Sequence, residues 1–344
     1  MAKPKVREIA AIANVSPATV SNALNGKPGV SKAVADRILT IAREMGYHYQ
    51  EDSAGRKNYV RLVVYRSSGT VLMDTVFFAE LIESVQEECK RAGMELMVTH
   101  INAYRGGETL QHVQEICRED CCGILLLGTE MQKEELAAFS ACHAPLVVLD
   151  NACAFEPFHS VVMDNEGAAY LAVKQLYDHG HRRIDHITSS FAFSNIEERQ
   201  NGYYSALRRL GLSTHDARLW KVSPSIEGAY QDMKTLLETN KGTMPTAFFA
   251  ANDLMAIGCM RALQEAGYRV PEDVSVVGMD DTSVCLACTP QLTTIHVYRR
   301  QLAMTAIRTL LSLVPETREG YNQIRVTVDT VCRDSVSTVK GEQR

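Results

Sequence analysis

The run Val6-Arg-Glu-Ile-Ala-Ala-Ile-Ala-Asn-Val-Ser-Pro-Ala-Thr-Val-Ser-Asn-Ala-Leu-Asn-Gly26 decides how this chain begins to fold. Val6, Ile9, Ala10 and Ala13 fall on the i, i+3, i+4, i+7 stripe of a short amphipathic helix. After the turn at Asn14-Val15, Ser16 is placed to cap a second helix, with Pro17 at its first position, where a missing N–H costs nothing. That helix runs to about Leu24, burying Val20 and Leu24, until Gly26 stops it. A third helix starts at the cap Ser31, and its stripe Val34, Ile38, Ile41, Ala42, Met45 closes a miniature core. Two short helices, a tight turn and a bracing helix make a helix-turn-helix.

The second helix shows the solvent short hydroxyl and amide groups instead of apolar bulk. Such a surface enters a DNA major groove, where hydroxyls bind phosphate and an amide reads adenine. Asn22 and Ala18 are the expected base-facing positions. Ser16, Thr19, Ser21, Asn25 and Ser31 are cast as phosphate contacts, with Pro17 fixing the helix entry. For Ser16 and Ser31, capping and phosphate binding are compatible, because a capped helix N-terminus attracts anions.

Charge follows the same division. Residues 1–58 carry nine Lys/Arg against five Asp/Glu, while the whole 344-residue chain has a net charge of −5. A basic head on an acidic body fits a polyanion partner for the head alone. Hydrophobic residues at 46% and charged residues at 22% exclude wholesale disorder. No run approaches the ~18 apolar residues of a membrane span, and no apolar core follows Met1-Ala-Lys-Pro-Lys5, so the expectation is a cytoplasmic protein with no membrane contact. The ten cysteines are expected to be reduced thiols, and Cys285-Leu-Ala-Cys288 is a lone CxxC read as two small buried or loop residues. His179-Gly-His181 lacks further ligands and reads as satisfied turn histidines. No metal and no cofactor is expected.

From Val60 onward, short apolar runs alternate with helical stretches. Strands are expected at Val60–Tyr65, Glu95–His100, Gly123–Leu127, Leu146–Leu149, Ile184–Ser189, Ala247–Ala251 and Val274–Val277. The helices between them include Phe78–Ala92, Gly167–Tyr177, Glu197–Leu210 and Leu254–Ala266. Two such series predict an α/β body of two lobes, each a parallel sheet with helices on both faces, and a ligand cleft where strand ends converge. The organisation is therefore a headpiece over 1–47, a link over 48–59 and a two-lobed domain over 60–340.

The headpiece run, continued by Val30-Ser31 and Met45-Gly-Tyr47, resembles the lactose-repressor family over its whole length. In the body, Phe77-Phe-Ala-Glu-Leu81, Val162-Met-Asp-Asn-Glu-Gly-Ala-Ala169, Gly180-His-Arg-Arg-Ile184, Glu198-Arg-Gln-Asn-Gly-Tyr203, Ala250-Ala-Asn-Asp-Leu-Met-Ala256, Val270-Pro-Glu-Asp-Val-Ser-Val-Val-Gly-Met-Asp-Asp281 and Leu292-Thr-Thr-Ile295 occur in the order of that family's effector domain, which is similar to periplasmic sugar-binding proteins. The resemblance implies a homodimeric regulator, commonly a repressor, on double-stranded operator DNA, tuned by a small-molecule effector. It implies Arg199, Asn252 and Asp280 facing the effector and Phe78 in the cleft wall. A bidentate guanidinium with an amide and a carboxylate suits a sugar, a nucleoside or a carboxylate. Asp281 fits a cap or turn better than Asp280 does, and Asp253 is expected to cap the helix after it. Ser223-Pro-Ser225, Val297 and Arg299 depart from the sugar-binding pattern, so the effector need not be a typical sugar.

Most members of that family carry a hinge helix after the headpiece, with a leucine wedged into the minor groove. Here the link His48-Tyr-Gln-Glu-Asp-Ser-Ala-Gly-Arg-Lys-Asn58 is about one helical turn short, has no leucine and has Gly55 at its middle. An operator bent less, and contacts from Arg56 and Lys57 to phosphate, are expected in place of the wedge. Two rivals remain: a binding module with a vestigial head, and an enzyme using Asp280 and Asp281. The reading helix opposes the first, and the absence of any nucleophile triad, phosphate loop or metal set opposes the second.

Overall fold

The computed structural model describes residues 6–24, 29–45, 57–69, 76–106, 109–239, 244–313 and 320–339. Asn25 and most of the link, 48–56, lie outside them. The chain divides into two compact units, 1–58 and 59–344, and each is described by itself.

In the first unit, α1 (Val6–Ala13), α2 (Pro17–Leu24) and α3 (Lys32–Glu44) enclose Ile9, Ala13, Val20, Leu24, Ile38 and Ala42. The α1–α2 turn depends on Asn14 at φ 52°, a left-handed position that asparagine tolerates, and Val15 N–H returns to Ala10 O at 3.1 Å.

In the second unit the chain runs β1 (Lys57–Arg66), α4 (Val76–Arg91), β2 (Glu95–Asn102), α5 (Thr109–Cys117), β3 (Cys121–Leu127), α6 (Lys133–Ala137), β4 (Leu146–Leu149) and β5 (His159–Met163). It then crosses into α7 (Asn165–Asp178), β6 (Ile184–Ser189), α8 (Ser194–Arg209), β7 (Leu219–Val222), α9 (Ile226–Thr239), β8 (Ala247–Ala250), α10 (Asp253–Glu265), β9 (Ser275–Asp280) and β10 (Thr293–Val297). It returns through α11 (Arg299–Ser312) and β11 (Gln323–Val326), and ends on β12 (Val328–Val331). The sheets are ordered β11-β5-β4-β3-β1-β2 and β12-β10-β9-β8-β6-β7. Pairing is parallel, as in Val60↔Leu96, except where β12 lies antiparallel to β10. Strands β4 and β6, covered on both faces, are buried along their whole length; β4 is apolar throughout for that reason, whereas β6 buries Asp185, His186, Thr188 and Ser189.

The chain passes between the lobes at β5–α7, β10–α11 and β11–β12, so each lobe is built from two separate stretches of sequence. In both sheets the order reverses beside the first strand, and that reversal opens a crevice at the strand C-terminal ends.

One expectation is corrected. Cys117 and Cys142 are joined as a disulfide, with their Cα atoms 4.0 Å apart, and not present as thiols. The Cys117 carbonyl accepts from His143 N–H at 3.0 Å, which draws the end of α5 onto the loop beyond α6 and brings the two sulfurs together. The other eight cysteines form no disulfide. Cys285 is buried, and Cys288 Sγ lies 3.3 Å from Cys285 O in a short turn. His181 is satisfied by Thr246 Oγ1 at 3.0 Å and Ser337 O at 3.1 Å.

Candidate functional site

Two sites are built here, one on each unit. On the headpiece, Ser16 Oγ accepts from Thr19 N–H at 3.0 Å, so Ser16 is the cap of α2. Its Oγ also lies 2.8 Å from Thr19 Oγ1. Ser16, Pro17, Ala18 and Ser21 are exposed, while Thr19 and Asn22 are half-buried. Val20, Ala23 and Leu24 turn inward and hold that polar face outward. Ser31 is exposed, with its carbonyl accepting from Ala35 N–H at 2.9 Å at the start of α3.

In the second unit, the cleft between the lobes and the open solvent at its mouth together hold about 680 Å³. Its walls come from residues that follow strand C-terminal ends. The first lobe gives Phe77 and Phe78, Thr129, Asp150 and Met163; the second gives Asn195 and Arg199, Pro224, Asn252, Asp280 and Thr282. Phe78, Arg199, Asn252 and Asp280 thus border one cavity. Phe77 is buried in the core and meets the Phe78 ring edge to face at 5.1 Å between centroids.

Their environments differ from one another. The Arg199 guanidinium is occupied within the protein: Nε donates to Asn165 Oδ1 at 2.9 Å, Nη1 to the Ala251 carbonyl, and Nη2 meets Met163 Sδ at 3.3 Å. It is an anchor between the end of β5 and the end of β8, and not the free bidentate fork the sequence suggested. Asn252 caps α10 through Met255 N–H at 2.8 Å, the role expected of Asp253. Asp253 is itself buried, accepting from Thr294 Oγ1 at 2.6 Å and from Thr282 N–H at 3.0 Å. The correction has a geometric cause, since a cap residue must be extended, as Asn252 is at φ −153°, and Asp253 is already helical.

Asp280 and Asp281 part company. Asp281 is paired with His296 Nδ1 at 2.8 Å and Arg333 Nη2 at 2.5 Å. The Asp280 side chain borders the cleft and has no hydrogen-bond partner among the described residues, while its backbone carbonyl accepts from Arg299 Nη1 at 2.6 Å. Asp280 has φ 118°, a conformation costing a residue with a β-carbon about 1–3 kcal/mol. Burial pushes its carboxyl up to about 8 against the favourable Arg199 charge. Arg299 also reaches Glu80 on α4 at 2.7 Å, so it ties the first lobe to the loop after β9.

Residues the sequence did not single out complete the floor. Asp150, at φ 61°, accepts from Thr129 Oγ1 at 2.6 Å and from Asn195 Nδ2 at 3.1 Å. Asn165 Nδ2 donates to Asn195 Oδ1 at 3.2 Å. A hydrogen-bonded chain therefore crosses from Thr129 through Asp150, Asn195 and Asn165 to Arg199. Burial raises the Asp150 carboxyl to about 6, against these donors and the Arg199 charge.

Beneath them, His186 is fully buried between the Tyr203 and Phe249 rings, with Nδ1 donating to Phe249 O at 2.9 Å. Its Nε2 has no partner among the described residues, and burial lowers the ring from 6.5 to about 4. A base depressed by folding stabilises the protein when neutral, and that contribution fades as pH falls from 6.5 toward 4. Between pH 7 and pH 5 this term should remove about 2 kcal/mol of stability. Urea unfolding at both pH values should show a smaller acid loss in His186→Phe than in the parent; an equal loss in both would refute the assignment.

Similarity to known proteins covers both units. Residues 5–50 match the model for bacterial regulatory proteins of the lacI family, and 173–336 match a periplasmic binding protein-like domain. The HTH-type transcriptional repressor PurR of Haemophilus influenzae (strain ATCC 51907 / DSM 11121 / KW20 / Rd) is 30% identical, over 97% of this chain and 99% of that one. The ribose operon repressor of the same strain is 28% identical over 97% and 99%. Among solved structures, a lac repressor dimer bound to operator and the anti-inducer ONPF superposes with a TM-score of 0.71 at 25% identity, covering 98% of this chain and 100% of that one. A LacI transcriptional regulator from a Rhodococcus species superposes at 0.69 with 28% identity over 81% and 99%. With headpiece, cleft and full-length relatives in agreement, this chain belongs to the lacI family of bacterial regulatory proteins and is a DNA-binding transcriptional repressor governed by a small effector.

Proposed function

We propose that the protein works in the cytoplasm as a homodimer that sets two α2 helices into successive major-groove faces of a near-palindromic operator, and that its effector occupies the cleft between the lobes without being turned over. The exposed Ser16, Pro17, Ala18 and Ser21 beside Asn22 carry the DNA half of this reading. Ser31 extends the same phosphate-contacting set, and Asn25 is retained in it from the sequence alone. Phe78, Arg199, Asn252 and Asp280 carry the effector half. Dimerisation is supported by the lac repressor neighbour, whose structure is a dimer on operator. Asp281 is bound to Arg333 and His296, so Asp280 and Asp281 do not face the cleft as the pair of carboxylates a glycosidase would use.

The decisive experiment is fluorescence-polarisation binding of the full-length protein to a labelled operator selected from random DNA, across a salt series. Site-specific binding with a steep salt slope is expected, because phosphate contacts release counterions. Asn22→Ala should weaken specific binding about tenfold to a hundredfold while sparing non-specific binding. Sequence-blind binding by the parent protein would defeat the reading.

The short, leucine-free link leads to a second result on the same DNA. Circular-permutation mobility should reveal a gentle bend at the operator centre. A sharp central kink would show that a wedge exists despite the missing leucine.

A further inference from the structure

The cleft has a charge balance as well as a shape. Of the described residues that line it, Asp150, Asp253 and Asp280 are acidic, and Arg199 is the one base. Three of these four are satisfied internally. Asp150 is held by Thr129 and Asn195, Asp253 by Thr282 and Thr294, and Arg199 by Asn165, Ala251 and Met163. The Asp280 carboxyl borders the cavity with no hydrogen-bond donor from the described residues, and a cation placed against it would draw off the proton that burial leaves there.

Helix N-termini at the cleft would ordinarily welcome an anion, but here they are already answered. Asn252 fills the first turn of α10, with Asp253 next to it, and α8 carries Glu197 in its first turn. Arg299, the other cation near Asp280, is taken up by Glu80 and by the carbonyls of Asp280 and Asp281. An anionic ligand would meet three carboxyl groups and find no unengaged guanidinium. A ligand that donates would find an acceptor waiting on one side and the Phe78 ring, a face suited to ammonium or to the apolar face of a sugar ring, on the other.

We propose that the effector is a hydrogen-bond donor without an anionic group, preferentially an amine-bearing polyol whose ammonium sits on Asp280, and that phosphorylated and carboxylated molecules are rejected. This rests on reading the cleft as the effector site. It narrows the sequence-based range, which ran from sugars and nucleosides to carboxylates. The left-handed backbone at Asp280 favours the same outcome: it aims the carboxylate into the cavity, whereas Asp281 turns to Arg333 and His296.

The test uses full-length protein and matched sets of probes: glucose, galactose and ribose, the amino sugars glucosamine and galactosamine, and the corresponding sugar phosphates and sugar acids. Binding is read by calorimetry and thermal shift. The amino or neutral members should bind, with the phosphate and acid members at least tenfold weaker. Asp280→Asn, which keeps the shape and tolerates the left-handed backbone, should lower amino-sugar affinity about tenfold to a hundredfold and erase the preference for the amine. A phosphate or acid that binds more tightly than its neutral or amino counterpart overturns the proposal. So does a panel in which no neutral or amino member binds, and so does amino-sugar binding that Asp280→Asn leaves unchanged. Operator binding in the same samples separates the two levels. Operator occupancy that responds to an anionic ligand sinks this inference and keeps the regulator; tight cleft ligands that leave occupancy unmoved sink the effector reading itself.

Discussion

Arg199→Ala is expected to lower the unfolding free energy by about 3–5 kcal/mol, the cost of breaking a buried charged network from one side, and to leave operator binding unresponsive to effector. The guanidinium is buried, and it joins Met163 at the end of β5, Asn165 at the lobe crossover and Ala251 after β8. Its charge also holds down the carboxyls of Asp150 and Asp280. Without it, those carboxyls face one another across the cleft, and Asn165 Oδ1 and the Ala251 carbonyl lose their donors. Arg199→Lys should recover part of the stability, because it keeps the charge but not the planar fork that serves three acceptors. The single tryptophan, Trp220, is buried in the second lobe with Nε1 on Asp185 Oδ2 at 2.9 Å, so its fluorescence in urea reports the unfolding of that lobe directly. An unfolding midpoint unchanged by Arg199→Ala would show that the network is ornamental.

The same network marks what the sequence reveals and what it hides. The headpiece is legible because three short helices expose their periodicity plainly: Val6–Ala13 is the predicted and the observed first helix, and Ile38 and Ala42 close the core as the stripe requires. Strands such as Leu146–Leu149 and Gly123–Leu127 stand out as apolar runs because both of their faces are covered. The strands β5, β7, β10, β11 and β12 and the helix α11 do not stand out in the sequence. Gln323–Val326 is too short and too exposed to carry a signal, and nothing in its residues tells that it returns to the sheet begun at Lys57. Periodicity gives an element its inner face and not its neighbours. In the cleft, Arg199, Asn252 and Asp280 came through the family resemblance, whereas Thr129, Asp150 and Asn195 are ordinary letters in the sequence. A usable signal was there for two of them: a polar residue just beyond the C-terminal end of a buried parallel strand lies at the ligand crevice, and Thr129 and Asp150 occupy that position after Leu127 and Leu149. The disulfide was missed for a different reason, since Cys117 and Cys142 are brought together only by the packing of α5 against the loop after α6.

Gly258→Ala should be damaging as well, although Gly258 touches no ligand. It lies in α10 where that helix crosses α9, and a β-carbon there would stand 2.3 Å from the Ile226 carbonyl oxygen, 2.9 Å from Ala229 Cβ and 3.0 Å from Tyr230 N. A carbon and a carbonyl oxygen rest at about 3.3 Å or more, so the two helices must part by about 1 Å. The obstructing atoms are mostly backbone, which has no rotamer to yield. Elsewhere in an α-helix, replacing glycine with alanine gains about 1 kcal/mol from propensity, so the sign of the effect decides whether close approach governs this position. Overpacking costs of about 1–3 kcal/mol or more outweigh that gain, and the expected net result is a loss of about 2 kcal/mol in urea unfolding followed by Trp220. The damage should reach the cleft as well, because α10 begins with the Asn252 cap and with Asp253, and a displaced α10 moves Asn252 and pulls Asp253 away from Thr282 and Thr294. Effector affinity and stability should therefore fall together in Gly258→Ala. A stabilised protein with normal effector response would show that α9 and α10 have room to give.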